Sequence, residues 1–244
     1  MPNVKSVFDQ IKRKARPVFE DAGLMDRRVR VEARVLSTEE AIGNPEGDDF
    51  PLQKGKERLM QAELDHALGQ AYTDRYGDFE GTLGEILDMP LENNFRRAVF
   101  TASLNAALRS LGRTDRTVHC RDQGPSLCAA ELAQYIRDRY GVVRIGQVGL
   151  QPAMVEALAA AFALRVLDLD PDNVGTKKRG VLIEGADTQE DVIAWADLLL
   201  VTGTTLVNDT IGGFLGDKPV LFYGSTIAGA ADLMGWARFC GQGT

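Results

Sequence analysis

Thr202, Thr204 and Thr205 carry three hydroxyls, with Gly203 among them and the Asn208 amide just beyond, directly after the apolar run Leu198–Val201. Hydroxyls and main-chain N–H groups gathered in such a turn can hold an anionic group. Capping and turn formation is the plainer use of the same residues. A second polar turn, Gly224, Ser225 and Thr226, follows another apolar run, Pro219–Tyr223. Ser225 lacks the rest of a nucleophile elbow and has no histidine nearby in sequence, so serine-hydrolase chemistry is a poor fit.

Two other groups of residues could carry chemistry. His119, Cys120 and Cys128 bring together two of the three cysteines and one of the two histidines. Thiolate and imidazole are ligands for a transition metal ion such as Zn, Fe or Cu. Their spacing matches no standard zinc motif, and Cys128 could simply pack as a small apolar residue on a helix. Cys240 or His66 joins them only if the fold brings it in. Gly146 and Gly149, read as a turn between a strand and a helix, precede Asp168, which lies 168 − 146 = 22 residues after Gly146. That spacing suits a nucleotide-type cofactor, with Asp168 on its ribose. The full three-glycine pattern is missing, because position 151 is Gln and the next helix opens at Pro152.

The elements that must position these groups alternate. The periodicity predicts helices over Glu131–Arg139, Pro152–Phe162 and Thr188–Trp195, and strands over Val142–Ile145, Arg165–Leu169, Leu198–Val201 and Pro219–Tyr223. A helix capped at Asn208 or Asp209 should run through Ile211, Phe214 and Leu215 and end near Gly216. Such alternation argues for an α/β fold with a Rossmann-like, mostly parallel sheet in the C-terminal half. In that fold, ligands bind at the carboxyl ends of the strands, where both polar turns fall.

The N-terminal half reads as a smaller α+β domain. Val4, Val7, Phe8, Ile11, Ala15, Val18 and Phe19 recur at helical spacing. Arg28–Leu36 alternates as a half-solvated strand, Glu57–Leu64 is compatible with a short helix, and Gly69–Thr73 with a strand. Helices over Thr82–Leu87 and Glu92–Leu111 follow. Between them Ser37–Lys56 has no periodicity, and its Lys54 and Lys56 could meet an anion. The polar connection Gly112–Arg116 places the boundary between domains 1–114 and 115–244.

With 28 Lys and Arg against 35 Asp and Glu, the net charge is −7. No basic face is available for nucleic acid. No stretch reads as a targeting signal or membrane span, so the expected location is cytoplasmic and the expected partner a small molecule or metal. Three cysteines in 244 residues read as reduced thiols rather than a disulfide framework. A homodimer is the expected oligomer if there is one.

Val166–Gly175 (VLDLDPDNVG), then LLLVTGTTLVNDTI and LFYGST, resemble the putative heavy-metal chelation family, a domain of unknown function. The resemblance spans roughly Val142–Ala230, and TGTTLVNDT is its most specific piece. It implies a Rossmann-like domain after an N-terminal domain resembling that of enolase, with the active site in the cleft between them. Carried over residue by residue, it points to Asp168, Asp170, Asn173, Thr202, Gly203, Thr204, Thr205, Asn208, Thr210, Gly224 and Ser225. The family usually has proline between the last glycine and serine, whereas here Ser225 follows Gly224 directly.

Overall fold

The computed structural model describes residues 6–32 and 58–244. The Ser37–Lys56 segment, with Lys54 and Lys56, lies outside them, as does the second part of the strand expected over Arg28–Leu36.

The first helix, α1 (Val7–Asp21), starts at a capping box in which Ser6 and Asp9 satisfy each other's main-chain N–H. Its apolar stripe buries Phe8, Ile11, Ala15 and Phe19. Four strands follow, β1 (Arg28–Glu32), β2 (Arg58–Leu64), β3 (Ala67–Thr73) and β4 (Phe79–Thr82), in an antiparallel sheet ordered β3-β2-β1-β4. Residues 58–64 are thus a strand and not the helix expected over Glu57–Leu64. They pair with β3 along seven positions, Arg58 opposite Thr73 through Leu64 opposite Ala67. Asp65 and His66 form the two-residue turn, both at positive φ (48° and 68°). An Asp-His pair lacks the Asn-Gly signature of such turns, and the charges of β2 mimic a helix face.

Two helices close this half, α2 (Leu83–Asp88), capped by Thr82 with Glu85, and α3 (Asn94–Ser110), capped by Asn93. The second lies in the middle of the molecule and is buried nearly all round from Ala98 to Leu108. Its Ala102–Ala106 stretch runs against β3 so closely that a Cβ at Gly69 would stand 2.3 Å from the Ala102 oxygen and the Ala106 nitrogen.

The C-terminal half continues with α4 (Gly124–Tyr140), β5 (Arg144–Val148), α5 (Pro152–Ala159), β6 (Ala163–Leu167), β7 (Lys177–Lys178), β8 (Val181–Glu184), α6 (Gln189–Trp195) and β9 (Leu198–Thr202). It ends with the one-turn helix α7 (Thr204–Val207), β10 (Val220–Tyr223), α8 (Ala228–Met234) and β11 (Arg238–Phe239). Seven strands form one sheet ordered β11-β10-β9-β5-β6-β8-β7, parallel except where β7 meets β8. The expected α/β class with a mostly parallel sheet is observed. Instead of a helix capped at Asn208 or Asp209, α7 begins earlier, Asp209 takes a positive φ of 58°, and a 3-10 turn covers Ile211–Phe214. Left-handed backbone at residue 209 stops the chain continuing as one helix.

Each described strand before residue 114 belongs to the small sheet and each one after it to the large sheet. One apolar core nevertheless runs through both, joining Phe19, Phe100 and Leu104 to Phe222, Ile227 and Leu206. A second cluster packs α4 and α5 on the other face of the large sheet through Cys128, Leu132, Ile136 and Leu158. No described helix is long and apolar enough to cross a membrane.

Candidate functional site at the sheet edge

From β5 the chain steps to β6 on one side, while β9, β10 and β11 extend the sheet on the other. The switch point therefore lies between β5 and β9, where an open α/β sheet leaves a crevice beyond its strand ends. Gly149 follows β5, and Thr202 and Gly203 end β9.

The sequence-predicted residues form a row along that edge. A Cβ at Gly149 would meet the Thr202 side chain at 2.8 Å and the Tyr223 hydroxyl at 3.0 Å, and one at Gly203 would meet Ile227 N at 2.7 Å. The ends of β5, β9 and β10 thus touch through glycines. Toward β6, the Leu150 N–H donates to Asp168 at 2.7 Å. At the other end, Gly224 adopts φ +94° and faces open space.

Within the row the groups differ in what they leave free. Thr205 donates to Thr202 O at 2.7 Å and Thr210 to Thr205 O at 3.5 Å, so both hydroxyls brace their own turn. The Thr202 and Thr204 hydroxyls meet each other at 3.3 Å. Ser225 is 2% exposed, and its Oγ has no hydrogen-bond partner. A buried polar atom left this way costs about 1–3 kcal/mol, which a native site tolerates when a ligand supplies the partner.

The small sheet reaches this edge through β3, whose outer side would otherwise expose unpaired main-chain groups. Tyr72 N–H donates to Thr226 Oγ1 at 3.2 Å, and Gln70 N–H to Thr117 O at 3.0 Å. Asn105 of α3 donates to Gln70 O, Ser225 O and Thr226 O at 2.9, 3.2 and 3.0 Å and accepts from Gly229 N–H at 2.7 Å. One buried amide thus holds both sheets in position around Ser225. Asn94 donates to Asp74 at 2.6 Å and meets Asn208 at 3.5 Å, a second link. Arg58, opposite Thr73, adds positive charge near the end of β3, and its buried Nε has no hydrogen-bond partner. Tyr72, Asn94, Asn105 and Arg58 carry no motif, and only the tertiary pairing marks them.

Gly146 is not part of the turn. It lies inside β5, where a Cβ would stand 3.1–3.2 Å from Leu199, Val192 and Ala196, so its role is close packing beneath the sheet. The strand expected over Val142–Ile145 begins two residues later, which moves Gly146 off the edge. Asp168 is at the edge but engaged. Its carboxylate accepts N–H bonds from Leu150 and Asp170 at 2.7 Å each and lies 3.4 Å from the Asn173 amide. Asp168, Asp170 and Asn173 thus shape the loop after β6, and the acid assigned to a ribose already holds main chain.

The proposed metal ligands lie where burial governs their chemistry. His119 turns its ring edge-on to Tyr72, centroids 5.3 Å apart, and its Nδ1 is buried without a partner. Burial lowers its pKa to about 4, so the ring is neutral near pH 7. Burial first, then the neighbouring Cys128 and Cys240, push the Cys120 thiol up to about 12. Cys128 is raised too, chiefly by burial. Among the described residues, no three His, Cys, Asp or Glu side chains converge closely enough to hold a metal ion. His119, Cys120 and Cys128 therefore do not form a preassembled cage. Cys240 turns its sulfur to Arg116 O, 3.9 Å away, and His66 sits at the hairpin tip with its side chain fully exposed.

The His119 environment has a consequence for pH. The folded chain keeps the ring neutral down to about pH 4, while the unfolded chain takes up a proton below about 6.5. The unfolded state binds more protons in that window, so stability is complete above it and falls as pH drops through it. The expected loss is about 3 kcal/mol. Urea unfolding of wild type and His119→Gln from pH 4 to 7 should show this slope in the wild type alone; equal slopes would remove His119 as the cause.

The family model described as putative heavy-metal chelation matches residues 132–219. No curated protein matches the chain. Among solved structures, a Pyrococcus horikoshii protein of unknown function from this family is 18% identical, with a TM-score of 0.56 over 90% of this chain and 79% of that one. A Desulfitobacterium hafniense protein of unknown function, also of this family, is 14% identical, with a TM-score of 0.48 over 72% of each chain. At 18% identity the first likeness establishes a shared fold. The matched residues 132–219 hold the switch-point strands β5, β6 and β9, so the similarity to the putative heavy-metal chelation family falls on the sheet edge described above.

Proposed function

We propose that the chain binds a small anionic ligand, or a metal carried in such a ligand, at the edge of the parallel sheet where it meets β3. The observation that carries this reading is Ser225. Its hydroxyl is buried without a partner, beside a glycine that faces open space. The switch point between β5 and β9 is where this architecture holds ligands, and Arg58 supplies a cation with an unspent N–H.

The family description favours metal, and the side chains limit the form it takes. Burial favours the uncharged forms of the half-buried His119 and Cys120, and no described trio of ligands converges. A metal ion arriving with its own small-molecule ligands suits these residues better than a bare ion. The chain's own groups would then orient the complex through Ser225, Thr202 and Thr204 and exclude water from it.

Thermal shift of the full chain against phosphate, citrate and citrate complexes of Zn, Fe(III) and Cu(II) tests the proposal. A ligand that binds only the folded state at a concentration of about one hundred times Kd stabilises it by about 2.7 kcal/mol. One of these compounds should raise the melting temperature of wild type, and Ser225→Ala and Thr202→Val should each reduce the rise. A rise that both variants retain in full would place the ligand elsewhere.

A further inference from the structure

Arg238 stands in β11 opposite Phe222 of β10, and Phe239 opposite Tyr223. Two residues beyond Phe222 the strand has ended, and Gly224 turns the chain at φ +94°. Parallel strands rise about 3.3 Å per residue, so an extended arginine side chain spans the roughly 6.6 Å from its own register position to that turn. Arg238 does so, and its Nε donates to Gly224 O at 3.0 Å. The N–H of the same glycine donates to Phe239 O at 3.2 Å. Both main-chain groups of Gly224 are thus held by β11, one residue before Ser225.

The rest of the guanidinium faces the connection between the two halves. Nη1 donates to Asp115 O at 3.2 Å and Nη2 to Arg116 O at 2.6 Å. Arg116 takes a positive φ of 50°, a conformation that disfavours an L side chain and that such outside bonds help to hold. The next residue, Thr117, lies against the edge of β3, where Gln70 N–H donates to Thr117 O at 3.0 Å and Thr117 Oγ1 donates to Leu68 O at 2.5 Å. One planar fork therefore ties the end of β10 to the connection that carries β3. Asn105 makes the corresponding tie in the core through Ser225 O and Thr226 O, so Ser225 is fixed from both sides.

We propose that Arg238 is a positioning residue of the ligand site, which fixes Gly224 against residues 115–116 and so keeps the Ser225 hydroxyl in place at the sheet edge. The inference rests on the reading of that edge as a ligand site. With Nε, Nη1 and Nη2 each spent on a main-chain carbonyl, Arg238 acts through Gly224. Charge alone cannot do this. Three carbonyls from two segments need donors in the fixed plane that a guanidinium offers, and an ammonium in the same place supplies a point charge without that plane.

The surroundings let this role be separated from the fold. Arg238 borders an open polar hollow of about 630 Å³, lined also by Arg113, Asp115 and Trp236. Arg113 pairs there with Asp232 at 2.9 Å. Water entering the hollow can bond to the three carbonyls once the guanidinium is gone, so its removal leaves none of them sealed from solvent. The same opening admits a small guanidinium ion from solution.

Isothermal titration calorimetry of the full chain, at a temperature where circular dichroism shows every variant folded, reads the binding of inorganic phosphate, citrate and Fe(III) citrate. Whichever of these wild type binds should bind Arg238→Lys and Arg238→Gln about 10–100-fold more weakly, the usual cost of removing a side chain that orients a binding group. Millimolar ethylguanidinium should restore most of the lost affinity to Arg238→Ala and leave wild type unchanged. In the ligand-free protein, the Gly224 amide should exchange its hydrogen faster in these variants while the middle of α3 keeps its rate. Arg238→Lys binding as tightly as wild type would make charge the contribution and overturn the proposal. Affinity lost with no change at Gly224, or with no rescue by ethylguanidinium, would overturn it too. Equal binding by wild type and all variants sinks the role of Arg238 alone, whereas a wild type that binds none of the three sinks the ligand reading and this inference with it.

Discussion

Replacing Asn105 by alanine is expected to destabilise the protein by about 5 kcal/mol, a third or more of the roughly 5–15 kcal/mol that holds an ordinary folded protein together. The side chain is fully buried, and its amide serves three carbonyls and one N–H on two different segments. Alanine leaves Gln70 O, Ser225 O, Thr226 O and Gly229 N–H without this partner inside the core. Each buried group stranded in this way costs about 1–3 kcal/mol, and the sum falls short of the maximum because Gly229 can relax and carbonyls tolerate partial pairing. Asn105→Leu should be nearly as damaging although it fills the volume, since hydrogen bonding and not size is what is lost. Urea unfolding followed by circular dichroism measures both; a loss below about 1 kcal/mol would mean that the bonds between the sheets are redundant.

Gly69→Ala is the second large effect. The new methyl would stand 2.3 Å from the Ala102 oxygen and the Ala106 nitrogen and 2.8 Å from the Asn105 carbonyl carbon, all of them main-chain atoms. A flexible side chain could swing aside, but a buried helix cannot. Either α3 moves off β3 by about an ångström or the hairpin shifts, and both disturb Asn105 as well. Overpacking costs about 1–3 kcal/mol where side chains can adjust, so a loss of about 4 kcal/mol is expected here. The same unfolding measurement checks it. A neutral result would show that the contact between β3 and α3 is looser than the geometry requires.

The parallel sheet was legible in the sequence because runs such as Leu198–Val201 and Pro219–Tyr223 are apolar throughout, as strands covered on both faces are. The helices expected from Thr82 and Glu92 begin within two residues of those positions, where Thr82 and Asn93 cap them. The hairpin of β2 and β3 was hidden by its Asp-His turn, and Arg58 was hidden with it. Gly146 was misplaced because a two-residue shift in β5 exchanges a turn glycine for a packing glycine, and composition does not report register. Asn105 looks like any polar residue on an alanine-rich helix; its role exists only once Gln70 and Ser225 come from either side.

The central claim is that the ligand lies at the edge of β5, β9 and β10. Amide NMR of the isotope-labelled full chain, titrated with the compound that raises its melting temperature, tests this most directly. The account predicts shifts confined to Gly149–Gln151, Thr202–Asn208 and Gly224–Thr226, with smaller ones at Tyr72 and His119. Shifts centred on the polar hollow lined by Arg113, Asp232, Trp236 and Arg238, with the sheet edge unmoved, would contradict it.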